Sequence, residues 1–376
     1  MIAVVLACSS CGTASFSKEE RAQLDKAITD YMSAHHFPGA VVAASVPGKG
    51  TYVVAKGKAD LETGAPMKVG DKFGAGSVTK SMVGTVLLQL VDEGKLTLDD
   101  RVNKYLPAVP NGRNITVRQL LNMTSGLFNY TEDPDFLAAV AANPLRKWAP
   151  EHLVKIGTSH DPYFAPGKGW YYSNTNTIIV GLIIEKLTDK NVEAEVKTRV
   201  IDRLGLTSTT FPENPGITAP YAHGYKYNEE TKQYDESDST QLDSSALWAA
   251  GAIISNVPDL QVWAEALGSG RLTSKAMQKE RTRFVDQAPP LPSGMPETAD
   301  GMDPGYGLAI VKYDNTDTFI GITGRTTSWD NQTFYLPSEK AVLVVFANTS
   351  TTTGDGPLFF ATVAKIIFPG SFPQVK

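Results

Sequence analysis

Segments that read as β-strands gather at the two ends of this chain, and the long middle between them reads as helix. Near the N-terminus, Ala40–Val46 and Thr51–Ala55 are apolar, β-branched runs separated by Pro47-Gly48-Lys49-Gly50, the pattern of a hairpin. Near the C-terminus, residues 306–312, 318–323, 332–336 and 341–347 repeat the pattern, with Pro337-Ser338-Glu339-Lys340 joining the last two. The economical arrangement is one antiparallel sheet assembled from both ends of the chain and flanked by their helices. The middle then forms a separate helical body. The expected fold class is α+β: a discontinuous α/β domain over 18–76 and 250–376, a mainly α-helical domain over 77–249, and a leader over 1–17. Active sites favour the cleft between two such domains.

Helical spacing supports this division. In 18–36, Leu24, Ile28, Tyr31 and Met32 share a face, and Phe37-Pro38-Gly39 stops the helix. From Ser77 onward, Met82, Val83, Val86, Leu87, Leu90 and Val91 form a broad apolar stripe that Gly94 ends. Thr116-Val117-Arg118-Gln119 is a capping box ahead of Leu120-Leu121. Further helices are expected over Thr175–Leu187, over Ser255–Leu267 with Pro258 in the first turn, and over Leu358–Phe368. Residues 212–246 read as a polar surface excursion, and 287–307, with five prolines, as loop.

The chain has 376 residues, with 35 Lys and Arg against 40 Asp and Glu, a net charge of −5. Without basic runs, this balance argues against nucleic acid as a partner. The apolar run Ile2–Ala7 falls far short of the ~20 residues of a transmembrane helix. Both cysteines, Cys8 and Cys11, sit in the first dozen residues, so no disulfide framework holds the fold. The stretch reads as the end of a secretion signal. Val5-Leu6-Ala7-Cys8 resembles a bacterial lipobox, although the first positive side chain is Lys18. The expectation is an exported, monomeric protein of the bacterial envelope or exterior, with Cys8 as candidate lipid anchor.

Several common catalytic signatures are missing: GxSxG, the Walker A loop, GxGxxG and HExxH. The five histidines show no metal-ligand spacing, so neither a metal nor a cofactor is expected. What remains is Ser77-Val78-Thr79-Lys80, after a glycine-rich turn and at the start of an apolar helix. Serine and lysine three apart face the same side of a helix. The helix N-terminus favours developing negative charge and makes it easier for the lysine to be neutral. A neutral lysine can take the serine proton, worth ~10²–10⁴ in rate, and the Ser77 amide can serve as an oxyanion donor. An arbitrary match of this kind is more often a serine cap followed by an exposed lysine, and Ser15-Phe16-Ser17-Lys18 also fits. Position at the domain junction separates the two copies.

A relay on the facing domain is supplied by Tyr172-Ser173-Asn174, just ahead of the next helix. A phenol beside a lysine ammonium ionises more readily and passes a proton to a leaving group. Asn174 can donate to a substrate carbonyl and bond to Lys80. The pattern recurs as Tyr313-Asp314-Asn315, and its ordinary meaning is a packed tyrosine and a turn asparagine.

With these motifs in place, the chain resembles the serine β-lactamase and penicillin-binding protein superfamily, for which SxxK is a known motif. It is most similar to the secreted D-alanyl-D-alanine carboxypeptidases and class C-like hydrolases. The resemblance rests on Phe73–Ser81, Leu87–Leu96, Ile115–Leu121, Thr124–Leu127, Tyr172–Asn176, Leu204–Leu206 and Ala250–Ser255, in the family's order. It implies a β-lactamase-like fold, Ser77 as acylated nucleophile, Lys80 as its base and Tyr172 as proton relay. The family's third motif, Lys-Thr-Gly or His-Thr-Gly, is absent, and the aligned text is Gly321-Ile322-Thr323-Gly324-Arg325. Thr323 and Gly324 can still meet substrate along the strand, and the Arg325 amide is a candidate second oxyanion donor. Ile322 removes the charge that helps hold a carboxylate; such a bond is worth ~1.5–3 kcal/mol, roughly ten- to a hundredfold in preference. The Arg325 side chain restores that charge if it turns into the cleft, although a strand-end arginine is more often solvated. Among the aromatic residues near the motifs (Phe128, Tyr130, Trp170, Trp248, Trp329) core packing is the commoner role; Trp248, just before Ala250-Gly251, is the best candidate for lining an acyl pocket.

The leading expectation is a cofactor-free serine acyl hydrolase or transferase acting on a small-molecule or peptide substrate, the most family-like being the D-alanyl-D-alanine end of peptidoglycan stems, with β-lactams as mimics. The alternative is an esterase, D-amino-acid amidase or peptidase that needs no substrate carboxylate. A further alternative is a non-catalytic protein that binds cell-wall peptides.

Overall fold

A computed structural model describes residues 15–228, 230–235, 243–286, 303–349 and 355–372. Cys8, Cys11 and the proposed leader up to residue 14 lie outside these residues, as does most of the proline-rich segment. In chain order, the first half contains α1 (Lys18–Ala34), β1 (Gly39–Val46), β2 (Gly50–Gly57), β3 (Phe73–Gly74), α2 (Val78–Asp92), α3 (Val117–Leu121), α4 (Pro134–Ala142), α5 (Pro150–Ser159) and α6 (Asn174–Thr188). The short helices α7 (Val192–Val196) and α8 (Asp202–Leu204) and strands β4 (Lys226–Asn228), β5 (Gln233–Asp235) and β6 (Ile254–Ser255) follow. The remainder is α9 (Val257–Ser269), α10 (Lys275–Arg281), β7 (Val285–Asp286), β8 (Asp303–Tyr306), β9 (Val311–Asp314), β10 (Thr318–Arg325), β11 (Asp330–Leu336), β12 (Ala341–Ala347) and α11 (Asp355–Ile367).

An eight-stranded sheet runs β2-β1-β12-β11-β10-β9-β8-β7, each neighbouring pair antiparallel. The two ends of the chain meet where β1 pairs with β12, Ala40 opposite Ala347. Every residue of β11 and β12 is buried, because α9 packs on these strands and α11 packs on them too, with α1 against α11. That explains why Ala341–Ala347 is an unbroken apolar run rather than an alternating one. The α+β, β-lactamase-like expectation holds.

The capping signals also hold. Thr116 and Gln119 make both bonds of the capping box, and Ser17 with Glu20 does the same for α1. In the other SxxK copy the cap is therefore the intervening Ser17, Lys18 opens α1, and Ser15 lies exposed ahead of the helix. Residues 306–312 do not form one strand: β8 ends at Tyr306, and Ala309 adopts φ +57° before β9 begins. The N–H groups of this break go elsewhere, Leu308 to the Arg281 carbonyl and Ala309 to the Leu121 carbonyl, so tertiary partners replace ladder bonds. The polar excursion carries a small hairpin, β4–β5. Among the described residues, no helix is long and apolar enough to cross a membrane.

α2 positions the site. Residues 78–90 are all buried, with α6, α7 and β10 packed around them. A helix enclosed on every side takes its polar residues inside with its apolar ones, Lys80 among them.

Candidate active site

β3 pairs with β6, and the Ala75 N–H extends that pairing by donating to the Ile253 carbonyl at 2.7 Å. Gly76 then turns with φ +55°, a left-handed conformation that glycine adopts at little cost. A Cβ there would meet Arg325 backbone atoms at 2.7–3.0 Å, so the turn presses directly on the end of β10. Thr79 Oγ1 donates to the Gly76 carbonyl at 2.7 Å and accepts from the Ile253 N–H at 3.0 Å, holding the turn to its strand. Ser77 follows at the start of α2, and its side chain makes no capping bond. The simple serine-cap reading therefore fails for this copy.

Three sequence-predicted residues meet at one point. Ser77 Oγ lies 2.6 Å from Tyr172 Oη and 3.0 Å from Lys80 Nζ. Lys80 Nζ donates to the Ala250 carbonyl at 2.6 Å and lies 4.9 Å from the centroid of the Tyr172 ring. Lys80 is fully buried, and burial alone drives its amine well below the usual lysine range. Burial has the opposite effect on the Tyr172 phenol, raising it above its ordinary value against a smaller lowering by the Ser77 hydrogen bond. This corrects the idea that a lysine ammonium promotes tyrosine ionisation. Desolvation favours the uncharged form of both groups, leaving a hydroxyl, an amine and a phenol in contact. The N-termini of α2 and α6 both begin beside this cluster, so developing negative charge is favoured there.

The remaining predicted residues fall into place differently. Asn174 does not bond to Lys80; its Nδ2 donates to Asn129 Oδ1 at 3.2 Å and Thr131 Oγ1 at 2.9 Å. Trp248 packs into the helical body. Its ring packs against the Gly181 position of α6, its Nε1 donates to Glu193 at 2.7 Å, and it is 6% exposed. The Arg325 guanidinium is drawn to Asp330, its cross-strand partner, at 3.5 Å. Thr323 is half-buried on β10, and Gly324 lies so close to Ala75 that a Cβ would sit 2.1 Å from the Ala75 carbonyl oxygen. Ile322 is buried at 1% exposure. Trp329 donates to the Ala222 carbonyl, Tyr130 to the Ala246 carbonyl, Phe128 stacks on His160 and Trp170 packs near Tyr306. The second Tyr-x-Asn is a packing element, with Tyr313 stacked on Phe334.

Sequence reasoning passed over a polar network beside Tyr172. Asn129 Oδ1 accepts from the Asn174 backbone N–H at 2.9 Å, and Asn129 Nδ2 donates to Glu132 at 3.0 Å. The hydroxyls of Tyr163 and Tyr171 also donate to Glu132, at 2.7 and 3.2 Å. Its sequence signal was slight: Tyr171 adjoins the Tyr172 motif, but Asn129, Glu132 and Tyr163 stand in stretches that carry no motif. Among the described residues, no group of three or more His, Cys, Asp or Glu side chains is arranged to hold a metal.

The sequence matches the β-lactamase family over residues 24–364. The chain belongs to that family. A D-stereospecific amidohydrolase from Streptomyces sp. is 32% identical, covering 93% of this chain and 99% of its own, with a TM-score of 0.80. A penicillin-binding protein of Bacillus subtilis is 26% identical over 339 residues, 82% of this chain and 73% of its own. Esterase EstB of Burkholderia gladioli is 31% identical over 216 residues, 54% of this chain and 55% of its own. Family and relatives alike make this chain a serine acyl hydrolase of the β-lactamase and penicillin-binding protein type.

Proposed function

We propose that the protein hydrolyses neutral amides or esters through an acyl-enzyme on Ser77, with small D-amino-acid amides as the preferred class. The observation that carries this reading is the charge around the nucleophile. Ile322 occupies the family's Lys or His position, and Arg325 is paired with Asp330. Lys80 is then the basic group in contact with Ser77, and its burial disfavours a charge. Glu132, held by Asn129, Tyr163 and Tyr171, adds an acid on the Tyr172 side of the site, where it would disfavour a substrate carboxylate and suit a substrate amine. The similarity to a D-stereospecific amidohydrolase points the same way.

In this reading Ser77 Oγ bonds to the carbonyl carbon while its proton passes to Lys80 Nζ. The carbonyl oxygen takes up negative charge facing the amides of Ser77 and Arg325. Collapse breaks the bond to the leaving group, which takes the proton relayed through Tyr172 Oη. Water repeats the sequence on the acyl-enzyme, releasing the acid and restoring Ser77.

The second reading, a D-alanyl-D-alanine carboxypeptidase, is favoured by the penicillin-binding relative and by the retained Thr323-Gly324. The two separate by rate. D-phenylalanine amide and a D-alanyl-D-alanine peptide are compared by kcat/KM for the wild type, Ser77→Ala and Ile322→His. Amide turnover well above peptide turnover, lost in S77A and shifted roughly ten- to a hundredfold toward the peptide in I322H, is expected. Faster peptide turnover in the wild type overturns the amide preference, and activity retained by S77A overturns the nucleophile.

A further inference from the structure

We propose that Asn331 is a positioning residue for the oxyanion hole. It acts by bridging the turn that carries Ser77 to the strand end that carries Arg325. The inference rests on Ser77 being the nucleophile, with its own amide and that of Arg325 facing the developing oxyanion. Asn331 lies on β11 opposite Gly324 and is completely buried. Its Nδ2 donates to the Gly324 carbonyl at 3.0 Å and to the Ala75 carbonyl at 3.3 Å, while its Oδ1 accepts from Thr333 Oγ1 at 3.2 Å. Both amide hydrogens and the oxygen are therefore used.

The two acceptors are telling. Ala75 and Gly324 immediately precede the Gly76-Ser77 turn and Arg325, and no backbone hydrogen bond joins residues 75–77 to 322–325 among the described residues. The side chain of Asn331 supplies the link. The Gly324 carbonyl and the Arg325 N–H also belong to one planar trans peptide unit, in which they point in opposite directions. Holding the carbonyl on the Asn331 side aims the N–H away from Asn331. It also polarises the unit, making the N–H a better donor. Gly76 lies at that strand end: a Cβ there would sit 2.9 Å from the Arg325 nitrogen. Gly324 fits this role, because a Cβ on it would meet Asn331 Nδ2 at 2.4 Å.

Asp is isosteric with Asn but, when ionised, cannot donate, and Ser is too short to reach both carbonyls. Asn331→Asp and Asn331→Ser are expected to lower kcat roughly ten- to a hundredfold with KM close to wild type, because an ill-aimed oxyanion donor is missed in the transition state only. Affinity for a boronic acid that forms a tetrahedral adduct on Ser77 falls in the same proportion as kcat. A merely structural asparagine would lower the melting temperature and leave both quantities unchanged. Thermal melts identify which variants fold, and wild-type kcat with wild-type boronate affinity in either folded variant overturns the proposal. Ser77→Ala runs alongside. Activity in that control refutes the nucleophile, whereas loss there with a silent N331D refutes the role of Asn331 alone.

Discussion

Replacing Lys80 with methionine tests the electrostatic core of this site through stability rather than rate. The lysine amine is buried against Ser77 Oγ and the Ala250 carbonyl, with no carboxylate partner among the described residues, and burial holds its pKa well below the ordinary lysine range. In the unfolded chain the same amine titrates near ~10.4. Between the depressed folded pKa and that value, the unfolded state binds one more proton than the folded state. Stability therefore rises with pH across this window, by about 1.4 kcal/mol per pH unit from this single group. Below the folded pKa both states carry the proton, and the dependence on Lys80 vanishes.

Methionine of similar length removes the titration. It also leaves the Ala250 carbonyl without its donor, a loss of ~1–3 kcal/mol, while relieving the desolvation of a basic group. The net change at one pH is a difference of opposing effects, but the slope is not. Urea unfolding of wild type and K80M, at fixed ionic strength and half-unit steps from pH 6 to 9.5, gives the difference curve directly. A wild-type excess slope approaching about 1.4 kcal/mol per pH unit above the folded pKa is expected. A flat difference throughout would mean that Lys80 is an ammonium at rest, and the neutral-base reading of the site would fall.

Tyr172→Phe should lower kcat by roughly 10²–10⁴, with the melting temperature little altered. Because burial raises the wild-type phenol above its ordinary value, wild-type kcat should show no alkaline loss from Tyr172 up to about pH 10; a loss near neutrality would contradict its role as a protonated relay. Gly76→Ala combines a left-handed backbone with a Cβ 2.7–3.0 Å from the Arg325 backbone, and should cost roughly 2–4 kcal/mol together with most of the activity. A normal denaturation midpoint for G76A would refute the close contact between turn and strand.

Much of the frame was legible because local rules suffice for it. The apolar runs of β1, β2 and β12, the spacing of α1 and α2 and the capping box at Thr116 each depend on neighbours a few residues away. α4 and α5 passed unread although both begin with proline in the first turn, and Asp133 caps α4, because their apolar faces are short. The break at Ala309 and the bulk of the polar network around Glu132 left little local trace, since their partners lie far away along the chain.

The division is sharpest at the site itself. Ser77, Lys80 and Tyr172 could be picked out as candidates from spacing, helix position and residue type, and the family resemblance supplied their roles. Their meeting, across 95 residues between Ser77 and Tyr172 and 170 between Lys80 and the Ala250 carbonyl, belongs to the packing of α2 against α6 and the segment before β6. So does the direction in which each side chain points: Asn174 toward Asn129, Trp248 toward Glu193, Arg325 toward Asp330. A sequence determines which groups are present and the local periods that sort them onto faces. Solvation and side-chain direction depend on everything else that fills the surrounding volume, and for Lys80 that surrounding volume decides whether a cation or a base stands beside the serine.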